Sequence, residues 1–271
     1  MDREYLLGDD DQELARLQLQ HRVWAEVTHA SWRRGRFRVG GRILDLGCGP
    51  GYCALELAQW VGARGEVIAV DQSSAFLEIL KRRAAREGVA NIRTVHGRVD
   101  ELELAAGSLD GAFARWLLCF LPDPRELIMR VSRALRPGAT LVTLDYFNYR
   151  AFSLAPRSRA LGEIVVAIER SFRDSGGDVD VQGQIPGLMN DAGLEVTEIR
   201  PVSPLARPGT PYWHWIESFV RGYLPGLIAQ GYIDPPLVQA FWHDWTTRST
   251  QPGAYLVPPP VVEIHGVRRA V

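Results

Sequence analysis

The sequence predicts an α/β fold on a parallel sheet, and three observations carry that prediction. Short apolar runs recur at about 42–46 and in "GEVIAVD", "NIRTVHG", "LDGAFARW" and "ATLVTLDYF". Between them lie stretches with helical spacing of apolar residues, and Gly, Pro and Ser sit at the joints. Strands that alternate with helices of 10 to 15 residues pair in parallel, because each crossover needs a helix to return the chain to the same edge.

Each element has a local reason. From Asp10 to about Trp32, Leu14, Leu17, Val23, Trp24 and Val27 fall at helical spacing behind the carboxylates of Asp9 to Asp11. The strand at 42–46 leads into "GCGPG" and then a helix from about Tyr52 to Val61 that stops near Gly62. "SSAFLEILKRRAAREG" has a Ser cap and a Gly88 stop. "PRELIMRVSRALRPG" is the next helix. Beyond Phe147 the rhythm changes to a helix over about 157–174, a short helix in "IPGLMNDAG", a strand in "LEVTEIRPV", a segment at 207–247 with four of the eight tryptophans, and a last strand in "PPPVVEIHGVRR".

Composition narrows the function. A balance of 31 Lys+Arg against 32 Asp+Glu gives a net charge of -1 and no field for drawing in nucleic acid or an anionic membrane. Cys48, Cys53 and Cys119 lack CxxC spacing, so neither a disulfide framework nor a zinc site is indicated. The start, "MDREYLLGDDDQELARL", is acidic where a secretory signal would be basic and then apolar, which favours the cytoplasm. The six histidines form no metal-binding spacing, and no metal is expected.

The chemistry concentrates in "ILDLGCGPGY". A strand ending near Asp45, then Gly47, Gly49 and Gly51, then a helix, sets bare backbone against a ligand at the carboxyl edge of the sheet. Asp71 ends the next strand, 20 residues after Gly51, where a carboxylate can accept from both hydroxyls of a ribose. A dinucleotide fingerprint needs GxGxxG, but Tyr52 stands where its third Gly belongs, and no Gly-Lys-Ser/Thr follows for a nucleotide triphosphate.

"ILDLGCGPG" followed by "VIAVD" resembles the first two motifs of the class I S-adenosylmethionine-dependent methyltransferases, and the Leu-Arg-Pro-Gly turn at 135–138 before strand five is similar too. The resemblance covers residues 40 to 147. It implies a Rossmann-like seven-stranded, mostly parallel sheet with the last strand antiparallel, flanked by helices and carrying helical cap insertions at about 150–180 and 205–247. It implies S-adenosyl-L-methionine as cofactor, with residues 1–39 as a helical lid and 40–271 as the methyltransferase domain.

Carried over by position, the resemblance places Asp45 and the backbone around Gly47 and Gly49 at the methionine end of the cofactor, with Gly51 also among the cofactor-binding residues, Asp71 on the ribose and Gln72 beside the adenine. Arg98 stands where the family often has an acid, so Asp100 or the Val99 backbone would take the adenine amine. Arg115 and Trp116 fall nearest the sulfonium, and Tyr5 and Gln20 are lid candidates. The alternative for that segment is a helix that merely packs on the sheet.

The acceptor expected is a small molecule, since the Asn/Asp-Pro-Pro-aromatic motif of nucleic-acid amino methyltransferases is missing after strand four and no basic excess is present. An RNA or protein methyltransferase, or a catalytically silent cofactor-binding module, are the competing readings. The aromatic supply after strands five and six suits a largely apolar or planar acceptor, with Tyr146, Tyr149, Trp213 and Trp215 as its contacts and His214 as the candidate general base. The bland alternative is that these rings form the core of the cap. A homodimer is compatible with all of this.

Overall fold

Five apolar strands with polar flanks have only one way to hide both faces, which is to lie between helices. The computed structural model describes residues 11–270. In chain order the strands are β1 (Arg42–Leu46), β2 (Glu66–Asp71), β3 (Ile92–His96), β4 (Leu109–Arg115), β5 (Leu135–Tyr146), β6 (Ser153–Ala155), β7 (Leu194–Pro201), β8 (Tyr255–Val257) and β9 (Val261–Arg268). The helices are α1 (Asp11–Arg34), α2 (Tyr52–Val61), α3 (Ser74–Glu87), α4 (Arg125–Ala134), α5 (Arg159–Asp174), α6 (Ile185–Asp191), α7 (Pro211–Ala229) and α8 (Pro235–Ser249).

The main sheet has seven strands in the order β3-β2-β1-β4-β5-β9-β7. β1 to β5 pair in parallel, and β9 runs antiparallel between β5 and β7. This is the expected sheet, with its last strand inserted next to the edge. The capping signals act as read: Ser73 Oγ accepts from the Phe76 N–H at 3.2 Å, and Gly88 closes α3 in a left-handed conformation at φ 69°. Asp234 caps α8 through the Leu237 N–H, ahead of Pro235 and Pro236, which are a helix start.

Two details differ from expectation. Leu-Arg-Pro-Gly is no free turn: Leu135 already pairs with Leu109, the register then shifts, and the ladder resumes at Thr140, with Gly138 at φ 81° inside the irregular stretch. A two-stranded ribbon, β6 with β8, joins segments about a hundred residues apart and was not foreseen, because three-residue strands leave no periodicity to read.

α1 is a packed layer. Trp24 and Trp32 are fully buried, Trp32 meets Phe113 of β4 edge-on at 5.7 Å, and Trp24 meets Trp215 of α7 at 5.3 Å. Its C-terminal end is fixed by charge. Arg34 donates to both oxygens of Glu263 at 2.9 and 2.5 Å, and the His265 ring lies 2.6 Å from the same carboxylate. Burial pushes the Glu263 carboxyl up, but hydrogen bonds from His265 and Arg34 outweigh it and hold the pKa below the ordinary value.

Arg34→Ala is therefore expected to destabilise the fold by about 3 kcal/mol, the lower end for orphaning a buried charge, since His265 remains as a partner. Urea unfolding measures this. Because the folded pKa is depressed, the contribution is present above the usual glutamate pKa and fades as pH falls through the folded value. The deficit of the variant should shrink in acid; a constant difference at all pH values would assign the effect to packing alone.

Candidate functional site

The order of strands opens a crevice where β1 sends the chain to one side and β4 to the other. One continuous cleft occupies it, from the glycine loop and Asp71 to a wall of aromatic rings, roofed by Arg16, Leu17 and Gln20 of α1.

The three loop glycines are all left-handed, at φ 64°, 53° and 82°, and each is needed for a different reason. A Cβ on Gly47 would stand 2.8 Å from Leu117, and one on Gly51 would stand 2.2 Å from Leu80 of α3. Around Gly49 the space is open, so its bare backbone faces the cleft. Gly51 does not line the cleft: its expected ligand contact is corrected to a packing role, because its α-carbon is turned towards α3.

Asp71 holds this loop in place. Its Oδ2 accepts the Gly49 N–H at 2.8 Å and its Oδ1 the Ser73 N–H at 2.9 Å, which leaves lone pairs directed at the cleft it lines. Burial raises its pKa, against these backbone hydrogen bonds. Gln72, Val99 and Asp100 line the same end. Arg98, also there, is bound at 2.5 Å to Asp100 and at 3.2 Å to Glu101, so its charge is spent on neighbours.

Asp45 is a buried acid of the cleft. Burial pushes its carboxyl up to about 7, opposed by the Arg115 charge and reinforced by Asp71. Its Oδ2 has no hydrogen-bond partner. Arg115 donates to Thr28 Oγ1 at 2.7 Å and lies 5.0 Å from the Trp116 ring centre. Trp116 has φ 52°, a conformation that costs a bulky residue of order 1–3 kcal/mol and is tolerated only where surroundings enforce it. Its backbone N–H bonds Leu144 O, and its ring is held among Trp24, Trp215 and Tyr146 at 5.1, 5.7 and 6.4 Å. An orphaned buried carboxylate oxygen, an open glycine backbone and a ribose-directed acid fit a ligand with a cationic end and a vicinal diol, as the methionine and ribose parts of S-adenosylmethionine supply.

Beyond the loop Phe120, Leu121, Tyr146, Phe172 and Phe219 form an apolar wall, interrupted by Ser175 and Gly177, and Leu117 joins it to Gly47. Gly177 approaches so closely that a Cβ would sit 2.3 Å from Cys119 O, and the Asp178 N–H bonds that same oxygen at 2.9 Å. This zips the segment after α5 to the segment after β4. Cys119 N–H in turn bonds Asp145, whose buried carboxyl is raised by burial to about 6.

Of the expected acceptor residues, only Tyr146 lines the cleft. Tyr149, Trp213 and Trp215 are corrected to core residues. Trp213 packs on Trp245 at 4.5 Å and Trp215 on Trp24, so the bland alternative holds for them. His214 is corrected too: it is 58% exposed and 3.8 Å from Glu217, outside the cleft, because one residue along a helix turns the side chain away from the buried face of Trp213 and Trp215. Tyr5 lies outside the described residues. Sequence reasoning missed Arg16, Phe120 and Phe172, and counted Phe219 only within the general aromatic supply after strand six. The buried stripes of α5 and α7 contained the last two, but helical periodicity does not separate a core face from a cleft wall.

Comparison with known proteins agrees with this geometry. The family described as "Methyltransferase domain" matches residues 43–138. The chain is 30% identical over 197 residues to the demethylmenaquinone methyltransferase of Geobacillus kaustophilus, covering 67% of this chain and 81% of that protein. It is 29% identical over 214 residues to an uncharacterized 37.1 kDa transposon protein of Streptomyces fradiae, covering 73% of this chain but only 58% of that one. Among solved structures, geranyl diphosphate C-methyltransferase from Streptomyces coelicolor shares the fold at a TM-score of 0.61 and 17% identity, over 97% of this chain and 84% of that one.

Two predictions test the cofactor end. Gly51→Ala should cost about 1–3 kcal/mol of fold stability through left-handed strain and the overlap with Leu80, whereas Gly49→Ala should carry the left-handed strain without an overlap and should in addition weaken S-adenosylhomocysteine binding. Calorimetry and thermal unfolding of both variants separate the two effects, and the reverse pattern would exchange their roles. Asp45 has a raised pKa and pairs with a cation only when ionised. Affinity for S-adenosylhomocysteine should therefore rise as pH climbs through about 7 and level off above it. Asp45→Asn should abolish that dependence.

Proposed function

The chain belongs to the class I S-adenosylmethionine-dependent methyltransferases, a methyltransferase of small-molecule type, and from that premise we propose that it methylates a small, largely apolar acceptor in the cytoplasm. The observation that carries the acceptor reading is the continuity of one cleft from the glycine loop and Asp71 to the wall of Phe120, Phe172 and Phe219.

When bound, S-adenosylmethionine supplies a methyl group already activated on a sulfonium. What remains for the protein is alignment and exclusion of water, and orientation alone can supply roughly 7–11 kcal/mol of barrier reduction. In this reading Asp71 accepts from the ribose hydroxyls, Asp45 faces the methionine ammonium, and the Val99 backbone with Asp100 borders the adenine. The aromatic wall holds the acceptor's apolar body. The cleft-lining aspartates, 45, 71 and 100, all belong to the cofactor end, and no histidine lines the cleft among the described residues. In this reading the acceptor enters as a competent nucleophile. The relatives that are named quinone methyltransferases support a small-molecule acceptor, and the three free cysteines suit a reducing compartment.

The test has two parts. S-adenosylhomocysteine at a hundred times its Kd should stabilise the fold by about 2.7 kcal/mol while NAD does nothing. Phe172→Ala and Phe219→Ala should lower labelled-methyl incorporation into cell-extract metabolites by about tenfold or more with cofactor affinity retained, the loss expected for removing 1.4 kcal/mol or more of acceptor contact. Trp213→Ala, in contrast, should act through stability, costing about 3–5 kcal/mol. If Trp213→Ala instead folds normally and loses only acceptor turnover, the rings of α7 belong to the site and the wall is misassigned.

A further inference from the structure

The roof of the cleft carries a feature that the cofactor does not account for. Gln20 Oε1 accepts two hydrogen bonds, from Arg16 Nη1 and from Trp215 Nε1, both at 3.0 Å. Two donors on one oxygen fix which way the carboxamide faces, because the flipped amide would set its NH2 group against both. The NH2 is thereby turned to the other side, and among the described residues no acceptor meets it, although Gln20 lines the cleft. Arg16 beside it is buried and held bidentate on Glu13, with both bonds at 2.6 Å.

These donors belong with the acceptor wall. The Arg16 charge is felt at Tyr146, whose hydroxyl burial keeps firmly protonated, while the charge that acts on Asp45 is that of Arg115. A run of contacts supports this grouping: Tyr146 to Trp116, Trp116 to Trp215, Trp215 to Gln20 and Gln20 to Arg16. The Arg16 charge is met by Glu13, and the phenol O–H of Tyr146 can donate or accept, but the Gln20 NH2 can only donate. A fixed donor in the cleft wall favours an electron-rich oxygen over an ammonium, which would leave the NH2 unpaired.

We propose that Gln20 and Tyr146 form a donor pair which reads an oxygen on the methyl acceptor, a carboxylate, phenolate, enolate or carbonyl set on a planar apolar body, and that amine acceptors are excluded. Gln20 is a specificity-determining residue in this scheme. The proposal rests on the methyltransferase reading above and refines its acceptor.

The test uses the full chain with S-adenosylhomocysteine bound and two probes of matched shape, 2-naphthoate and 2-naphthylmethylammonium, followed by quenching of tryptophan fluorescence. Naphthoate is expected to bind about tenfold or more tightly than the ammonium probe, a difference of 1.4 kcal/mol or more. Gln20→Glu keeps the oxygen that Arg16 and Trp215 hold and changes only the NH2 to an oxygen, so folding should survive. It should remove the naphthoate preference and leave S-adenosylhomocysteine affinity unchanged, and Tyr146→Phe should weaken naphthoate alone. Equal binding of the probes, failure of naphthoate to bind, or loss of S-adenosylhomocysteine affinity in Gln20→Glu would overturn the proposal, the last by giving the amide to the cofactor. Failure of the wild-type chain to bind S-adenosylhomocysteine would instead overturn the underlying reading.

Discussion

Because the chain leaves β1 towards β2 and β3 and then returns to β4 on the other side, the loops after β1 and β4 peel apart, and the crevice between them exists before any side chain is chosen. Everything at the site hangs on that divergence. The loop after β1 must turn sharply into α2, which requires left-handed backbone at Gly47, Gly49 and Gly51. The Gly49 N–H, left without a partner in such a turn, is collected by Asp71 from the end of the adjacent strand. The residue proposed to read the ribose is thus also the one that clamps the loop.

The covering layers then set the electrostatics. α1 and the helices after β5 and β7 enclose the crevice, and the exclusion of water pushes two acids up, Asp45 to about 7 and Asp145 to about 6. They do different work. Asp145 has its oxygens occupied by the Tyr146 and Cys119 N–H groups and fixes the turn that presents Tyr146. Asp45 keeps one oxygen unmet, the state expected of a group whose partner arrives with a ligand. The strained Trp116 backbone fits the same account, since its ring is held on several sides by aromatic neighbours from α1, α7 and β5.

How much of this could be read from the sequence follows from distance along the chain. The glycine loop and Asp71 were legible because their geometry is set by neighbours within one strand-loop-helix unit, and the sheet was legible because parallel strands announce themselves by alternation with helices. The acceptor wall was not. Phe120, Phe172 and Phe219 come from three separate segments, and nothing local distinguishes them from Trp213, Trp215 or Tyr149, which are equally aromatic and, for Phe172 and Phe219, equally buried. His214 misled for a related reason: its place between two tryptophans looked like a site, yet adjacent positions on a helix point about 100° apart, and the face that buries Trp213 and Trp215 turns His214 outward. The β6/β8 ribbon had no signal at all.

The N-terminal helix α1 packs on the sheet through its later turns and lines the cleft with its earlier ones. Lifting all of α1 would expose Trp24 and Trp32, each burying of order 150–250 Å² and so contributing about 4–6 kcal/mol. It would also break the Arg34 pair on Glu263. The turns before Trp24 carry polar ties instead: Arg16 to Glu13, Gln20 to an indole N–H of α7, the Leu14 carbonyl to the Tyr52 hydroxyl, and His21 to Glu56. One rigid helix thus joins the apolar packing on the sheet to the polar roof of the cleft, so the proposed reading of an acceptor oxygen by Gln20 depends on the same hydrogen bonds that seat the roof on α7.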